Sequence, residues 1–299
     1  MMWWLIAKSI AKTFTLILLT TATIYLVARA FPGDPITVLY GEQPISDEVR
    51  KAVESRLGLD KPLYLQILIY WRRVFTGDWG VSTFFAKPVF QVVFQSFINS
   101  LKLAVSATVL TTLVCVLLAY LSMAKGFKML SSVFPTLSSS MPAAVWGVVL
   151  MVFAAYLKIP IGFGSMSMPL LTLVVAGTGV FYRILQSLLE KTFSEPFVEM
   201  YKAFGMSIEK IFLKALRYAM PVYLTATFYR MGLIIAGAMA TEVIFAYPGM
   251  GLLLVQAFSS RDYPVLIGWT TIVSVTLSVL NMVSDILHIY MDPRLRGVV

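Results

Sequence analysis

Few side chains in this sequence are placed to do chemistry. Cys115 is the only cysteine and His288 the only histidine in 299 residues. A lone cysteine forms no internal disulfide and no cysteine-based metal site, and a single histidine argues against a histidine-rich metal centre. No GxxxxGKS or GxxxxGKT phosphate loop is present, nor HExxH, nor GxSxG. The chain therefore carries no ATPase signature of its own and no recognisable hydrolase or metalloprotease site. Asp292-Pro293 is isolated and offers no metal geometry. The expectation is a protein that is not an enzyme and binds no metal or cofactor.

What remains are ionisable residues set in long uncharged stretches: Arg183, Arg230, Glu242, Asp285 and His288. Such residues are costly in lipid and are functional candidates wherever a segment spans a membrane. Arg230 and Glu242 are twelve positions apart, about 18 Å along a helix, and cannot pair with each other. Arg230 is expected a turn or two from the inner surface, and Glu242 near the outer end of the same helix. Asp285 and His288 are three apart and share a helical face, so they can meet each other or one partner. The ordinary reading of each is interhelical hydrogen bonding, or snorkelling in the case of Arg183. No chain of acidic sites crosses the midplane.

The elements that must position these residues follow from composition. AVILMFWYC residues make up 59% of the chain and DEKR 13%, about half the charge usual in a soluble domain. The charges are unevenly placed, and runs of about 20 residues with one or none match the thickness of a bilayer core. Such segments must be helical, because unpaired backbone groups in lipid cost several kcal/mol each. The predicted fold is all-α and polytopic, with six spans at about 9–30, 98–121, 130–157, 168–189, 222–246 and 266–290. The first apolar block follows Lys8 and Lys12, is longer than a signal-peptide core, and ends in Arg29-Ala30-Phe31-Pro32-Gly33. It reads as a retained span.

Orientation comes from Lys and Arg near the span ends. One side collects Lys8, Lys12, Lys125, Lys128, Lys191, Lys202, Lys210, Lys214, Arg217, Arg294 and Arg296. The long segment 31–96 on the other side balances its basic and acidic residues. Both termini are therefore expected in the cytoplasm of a cell-membrane protein. The formal charge of +9 is explained by this asymmetry and not by a nucleic-acid partner.

Two connections are too long to be simple links. Within 31–96, Ser46 can cap a helix to about Leu57, and Pro62 stands where a second helix would begin. Tyr64, Leu65, Leu68, Trp71, Val74 and Phe75 recur at helical spacing, which suits an interfacial or packed helix. The segment is either a structural cap over the outer mouth or part of a docking face. On the inner side, 190–221 reads as a helix from Glu195-Pro196, an interruption at Gly205, and a second helix capped by Ser207. It is either a surface on which a partner can push or a plain loop.

Gly232, Ala236, Gly237, Ala238 and Ala240 keep the fifth span thin, as suits close helix approach, whether along a path or within one subunit. The outer loop Tyr247-Pro248-Gly249-Met250-Gly251 then turns into a short helix that Arg261-Asp262-Tyr263-Pro264 ends. This turn lies close to Glu242, which either faces a pore or braces the loop.

Taken in order, these stretches resemble the permease subunits of ATP-binding-cassette importers. The nearest branch is the dipeptide, oligopeptide and nickel one, in its first-permease type with a long outer segment. The resemblance rests on Phe31-Pro32-Gly33-Asp34-Pro35, on Leu57-Gly58-Leu59-Asp60-Lys61-Pro62-Leu63-Tyr64 and on Gly77-Asp78-Trp79-Gly80. It continues through Ala215-Leu216-Arg217 to Pro221, Glu242 to Pro248-Gly249-Met250-Gly251, Arg261-Asp262-Tyr263-Pro264 and Tyr290-Met291-Asp292-Pro293-Arg294-Leu295-Arg296. It covers nearly the whole chain as a single domain, 1–299.

The resemblance implies a type I importer transmembrane domain and a coupling element on the inner segment, where such permeases carry Glu-Ala-Ala and a later glycine. Glu199 and Gly205 fall on its glutamate and glycine, Met200 and Tyr201 replace the alanines, and Met206 and Ser207 follow. Arg230, Gly237 and Glu242 are the expected path or gate residues. Asp34, Asp78, Pro248, Gly249, Arg261 and Asp262 are expected in the outer loops where a binding protein docks. The implied partners are a homologous second permease, two ATP-binding subunits that hold ATP and Mg, an extracytoplasmic solute-binding protein and the bilayer. The rival reading is a stand-alone ion-coupled secondary transporter, which predicts inverted repeats and midplane polar sites.

Overall fold

The computed structural model describes residues 2–30, 46, 48, 51, 55, 61–123, 128–160 and 162–291. Asp34, most of the helix expected over 46–57 and the tail beyond Met291 lie outside the described residues, as do the side chains of Asp285 and His288. Eleven helices are described: α1 (Met2–Ala30), α2 (Leu63–Thr76), α3 (Val89–Leu121), α4 (Lys128–Ser139), α5 (Ala143–Tyr156) and α6 (Ser167–Phe193). They continue as α7 (Pro196–Ala203), α8 (Ile208–Gly237), α9 (Met239–Ile244), α10 (Met250–Ser259) and α11 (Tyr263–Met291). The chain is an all-α, multi-pass membrane protein.

Three described helices are long and apolar enough to cross a membrane: Val89–Leu121, Ser167–Phe193 and Tyr263–Ser284. A fourth crossing is possible if the pair Val133–Ser139 and Ala143–Tyr156, bent by 110°, counts as one span. The segment expected as a single span over 130–157 is therefore two helices with a sharp bend between them. The break has a local cause. Pro142 cannot donate to the preceding turn and disfavours helical backbone at Met141, and it starts α5 from an extended conformation. In the region of the first expected span, α1 carries the shorter apolar stretch Ser9–Thr23.

The expected fifth span, 222–246, is not one helix. α8 begins at Ile208, inside the segment read as cytoplasmic, runs through Pro221 and ends at Gly237. Ala238, with ψ of 46°, leaves the helical region, and the six-residue α9 restarts beyond it. The non-helical part of the inner segment shrinks to the joints on either side of α7.

The core is built on α3, α6 and α8. Around the first half of α8 Cys115, Leu118, Phe181, Tyr182, Leu185, Phe212, Ala215 and Tyr223 pack together. Around its last turns Leu103, Ala104, Ala107, Leu173, Ile234, Ile235 and Tyr247 do so. Val89, Val93, Met250, Leu253, Ala257, Val265 and Val273 join α3, α10 and α11. α1 packs on α11, and α11 on α8. Gly232 lies against Leu277 and Leu280 of α11, so part of the thin face of α8 serves packing within the subunit.

α2 starts after Pro62, as expected, and Trp71 of the recurring apolar set turns inward beside Tyr70. Tyr70 hydrogen-bonds Thr271 at 2.7 Å and Trp71 donates to Thr21 at 3.1 Å. Tyr64, Leu68 and Phe75 are exposed. α2 thus leans on α1 and α11 through polar ends of aromatic side chains, whose apolar bodies suit a membrane boundary.

Candidate functional site

The first site, in the segment read from the sequence as cytoplasmic, is the joint between α7 and α8. Glu195 is extended and Pro196 takes the first helical position, where its missing N–H costs nothing. Three bonds close the far end: Phe204 N–H to Met200 O at 3.0 Å, Gly205 N–H to Lys202 O at 2.9 Å and Met206 N–H to Tyr201 O at 3.1 Å. The last two form a Schellman closure, which needs the left-handed φ of +73° at Gly205. A side chain there would be strained by its backbone although the space is open. Ser207 is extended at the N-cap of α8. The exposed carboxyl of Glu209 is held below its ordinary pKa by its own backbone N–H and by Ser207.

Tyr201 stands 5.8 Å from the ring of Phe197, and the ammonium of Lys214 lies 4.8 Å above Tyr201. Phe197 also meets Tyr218 at 5.5 Å, and Val198 is fully buried. Tyr201 therefore ties α7 to the first turns of α8, a role an alanine could not fill. Glu199 is exposed beside Met200. Met200 is 48% exposed, Phe204 77% and Ile208 48%. These three form an apolar crest around Gly205. Phe204 was not singled out from the sequence, though a large apolar residue just before a turn glycine was the available signal.

The second site, at the other end of α8, is centred on Glu242, which is fully buried. Ser100 of α3 donates to its Oε1 at 2.6 Å. The N–H groups of Gly251 and Leu252 donate to Oε2 at 2.6 and 3.3 Å. The carboxylate thus caps the positive end of α10, a favourable place for an anion. The Ser100 hydroxyl also accepts Met250 N–H at 2.7 Å, and Trp269 Nε1 donates to Met250 O at 2.7 Å. Asn99 donates to Pro248 O at 2.8 Å and accepts from the Tyr247 hydroxyl at 2.9 Å. A Cβ at Gly249 would strike the Glu242 carboxylate, and one at Gly251 would strike the backbone of Met239. The glycines expected to shape this turn are there because the carboxylate and α9 come so close. Ser100 and Asn99, which hold the turn from α3, were not singled out from the sequence.

Arg230 packs against α6. Its Nη2 donates to Leu173 O at 2.6 Å, and its guanidinium lies 4.8 Å over the ring of Phe181. Both partners are on α6, so Arg230 is held against that helix in the bundle, about six turns into α8. Gly177 makes room, since a Cβ there would overlap the guanidinium. Ser138 interrupts α6 nearby. Its Oγ accepts Gly179 N–H at 2.9 Å and donates to Val175 O, standing where the direct helical bond would run. Gly237 is the last residue of α8; its surroundings lie outside the described residues. Arg183 is exposed on α6.

Asp78 and Asp262 organise the outer segment. Asp78 N–H bonds Arg73 O at 3.0 Å, and its carboxylate meets Arg73 Nε at 3.2 Å. Asp262 is buried and caps α11 through Val265 N–H at 3.3 Å. It also accepts Phe84 N–H at 3.1 Å and the Ser82 hydroxyl. The turn 80–89 is thereby fastened to the start of the last long helix. Arg261, beside it, has a left-handed φ of 54° and an exposed side chain. The structure brings Pro248, Gly249 and Glu242 together, keeps Arg230 apart from them, and puts the Gly205 joint at the opposite end of α8.

Comparison with known proteins agrees with this architecture. Residues 113–297 match the family described as "Binding-protein-dependent transport system inner membrane component", and residues 1–115 match its N-terminal counterpart. The chain is 32% identical to the oligopeptide transport system permease protein OppB of Haemophilus influenzae, over 94% of this chain and 95% of that one. It is 29% identical to the dipeptide transport system permease protein DppB of Escherichia coli K12, over 93% of both chains. It is 28% identical to the glutathione transport system permease protein GsiC of Salmonella choleraesuis, over 97% and 98%. The chain belongs to the family of binding-protein-dependent transport system inner membrane components.

Proposed function

We propose that this chain is one of two pore-forming permeases of an ATP-driven importer of short peptides. The observation that carries the reading is the continuity of α8. It begins one residue beyond Gly205-Met206-Ser207 and runs unbroken for 30 residues to Gly237, about 45 Å. One bend later comes Glu242, which holds the outer loop. A push on α7 at the cytoplasmic face is carried by one continuous helix to within one bend of the outer brace. Such an element, with two packed arrangements, is what alternating access requires.

In this reading Glu199, Met200, Tyr201, Gly205, Met206 and Ser207, with Phe204, form the contact with an ATPase subunit. ATP and Mg act on two such subunits and not on this chain, which is a pore subunit. Arg230, Gly237 and Glu242 belong to the path or its gate, Glu242 as the brace that moves with the gate. Asp34, Asp78, Pro248, Gly249, Arg261 and Asp262 lie in the outer loops that receive a solute-binding protein. A homologous second permease completes the path. The domain is single, with 31–96 outside and 190–221 inside. Six spans are α1, α3, the bent pair α4–α5, α6, α8 and α11, with both termini in the cytoplasm by the distribution of Lys and Arg.

The named relatives transport dipeptides, oligopeptides and glutathione, and peptides are the cargo class they share. Family membership leaves the ion-coupled secondary transporter without support. The test is reconstitution of the whole importer in liposomes with its binding protein. ATP-dependent uptake of a labelled tripeptide is expected. Phe204→Asp is expected to leave the permease pair assembled and to abolish uptake. Uptake without ATP, or by this chain alone, refutes the proposal.

A further inference from the structure

Beside the Glu242 brace, the outer face carries a cleft of about 450 Å³ between the start of α3 and the 248–256 stretch. Its polar lining is Lys87, Gln91, Gln95, Ser96 and Gln256, with Pro248 on the rim. Lys87 and the three glutamines are exposed, and no hydrogen bond or ion pair engages their side chains among the described residues. Three carboxamides and an ammonium without a partner elsewhere in the described residues thus line one cleft. We infer that this cleft is a subsite for the peptide cargo at the outer mouth, with the glutamines on its backbone and Lys87 on its terminal carboxylate. This inference rests on the peptide reading above.

The chemistry is complementary. A primary carboxamide offers both a donor pair and an acceptor, matching the N–H and C=O of a peptide group. Gln91 and Gln95 are one helical turn apart, about 6 Å. An extended peptide presents equivalent backbone groups every second residue, about 6.7 Å, so the two amides can serve successive like-facing groups. Gln256 approaches from the opposite wall, and Lys87 is the cationic group of the cleft. The volume lies in the range of small-ligand pockets, about 300–1,000 Å³. Contacts to backbone and terminus alone would leave side chains unread, as a permissive importer requires. The wall at Pro248 and Gly249 is the loop that Glu242 holds, so the cleft changes shape when that brace shifts.

The test uses the complete importer in liposomes, saturated with its binding protein, with labelled trialanine and trialanine amide as probes. Gln91→Ala with Gln95→Ala is expected to lower uptake per ATP hydrolysed for both probes about fivefold or more, in line with the loss of one to two hydrogen bonds. Lys87→Gln is expected to lower the ratio of trialanine to trialanine-amide uptake about fivefold, in line with one lost charge-assisted bond. Unchanged uptake per ATP and an unchanged ratio, in a wild-type complex that imports trialanine, overturn the subsite and leave the peptide reading standing. A parallel fall in uptake and in ATPase stimulation by loaded binding protein also overturns it, since the cleft is then a docking face for that protein. A wild-type complex that imports no peptide removes the peptide reading and this inference with it.

Discussion

Ser100 donates to Glu242 at 2.6 Å from 142 positions away in the chain, and the same hydroxyl accepts Met250 N–H at 2.7 Å. One small side chain on α3 thus fastens both α9 and the start of α10. Replacing it by alanine leaves a buried N–H without its partner and the carboxylate with one donor fewer. Ser100→Ala is expected to destabilise the outer loop by about 1–3 kcal/mol, the cost of a buried polar group left unpaired. Hydrogen exchange at residues 250–252 in the purified complex reads this directly. Protection equal to wild type would show that the brace does not depend on Ser100.

The same geometry separates what the sequence made legible from what it did not. The joint at Gly205 and Ser207 was readable because its signals are local: a helix-opening proline, a turn glycine and an N-cap serine within a dozen residues. The end of α10 at Arg261-Asp262 and the start of α2 at Pro62 were readable for the same reason. The broken pair α4–α5 was missed because hydropathy is blind to Pro142 in an apolar run. The partners of Arg230, Leu173 O and the Phe181 ring, had no local signal, since only the fold brings α6 beside it. Ser100, as partner of Glu242, had no sequence signal at all. A serine in an apolar helix is ordinary, and only the fold brings it to a carboxylate on another element.

Arg230 and Gly177 give a test of deep packing. The guanidinium occupies the space above Gly177 while it bonds Leu173 O, so Gly177→Ala must drive it off that carbonyl. The loss is expected to be large in the wild-type background and small beside Arg230→Met, which has no carbonyl bond to lose. A coupling of about 0.5–3 kcal/mol is usual for residues in contact, and thermal unfolding of the four variants in detergent measures it. Additive effects would show that the two positions do not compete for that space.

Asp262 holds two elements at once, the first turn of α11 and the turn at Ser82 to Phe85. Loss of an N-cap costs about 0.5–2 kcal/mol, and here the 80–89 turn loses its anchor as well. Asp262→Ala is therefore expected to raise hydrogen exchange both at residues 263–266 and at 82–86. Asp262→Asn, which can still accept through its amide oxygen, should keep part of the protection at 263–266. Enhanced exchange confined to the helix start would show that the turn is held by other contacts, such as Ser82 N–H to Lys87 O at 2.9 Å.

Gly205 is the position where a backbone change can be kept apart from a packing change. Its φ is +73° and a Cβ would meet nothing within 4 Å, so a substitution acts through conformation alone. Alanine there costs about 1–2 kcal/mol for the left-handed backbone. Gly205→Ala should fray the joint and weaken the transfer of movement from α7 to α8. Proline cannot adopt a positive φ and removes the N–H that bonds Lys202 O. Gly205→Pro is expected to let the membrane part assemble while ATP hydrolysis proceeds without uptake. Asparagine tolerates left-handed backbone better than alanine and should fall between wild type and alanine in uptake per ATP. A proline variant that couples normally would show that the joint need not keep its shape for movement to pass from α7 to α8.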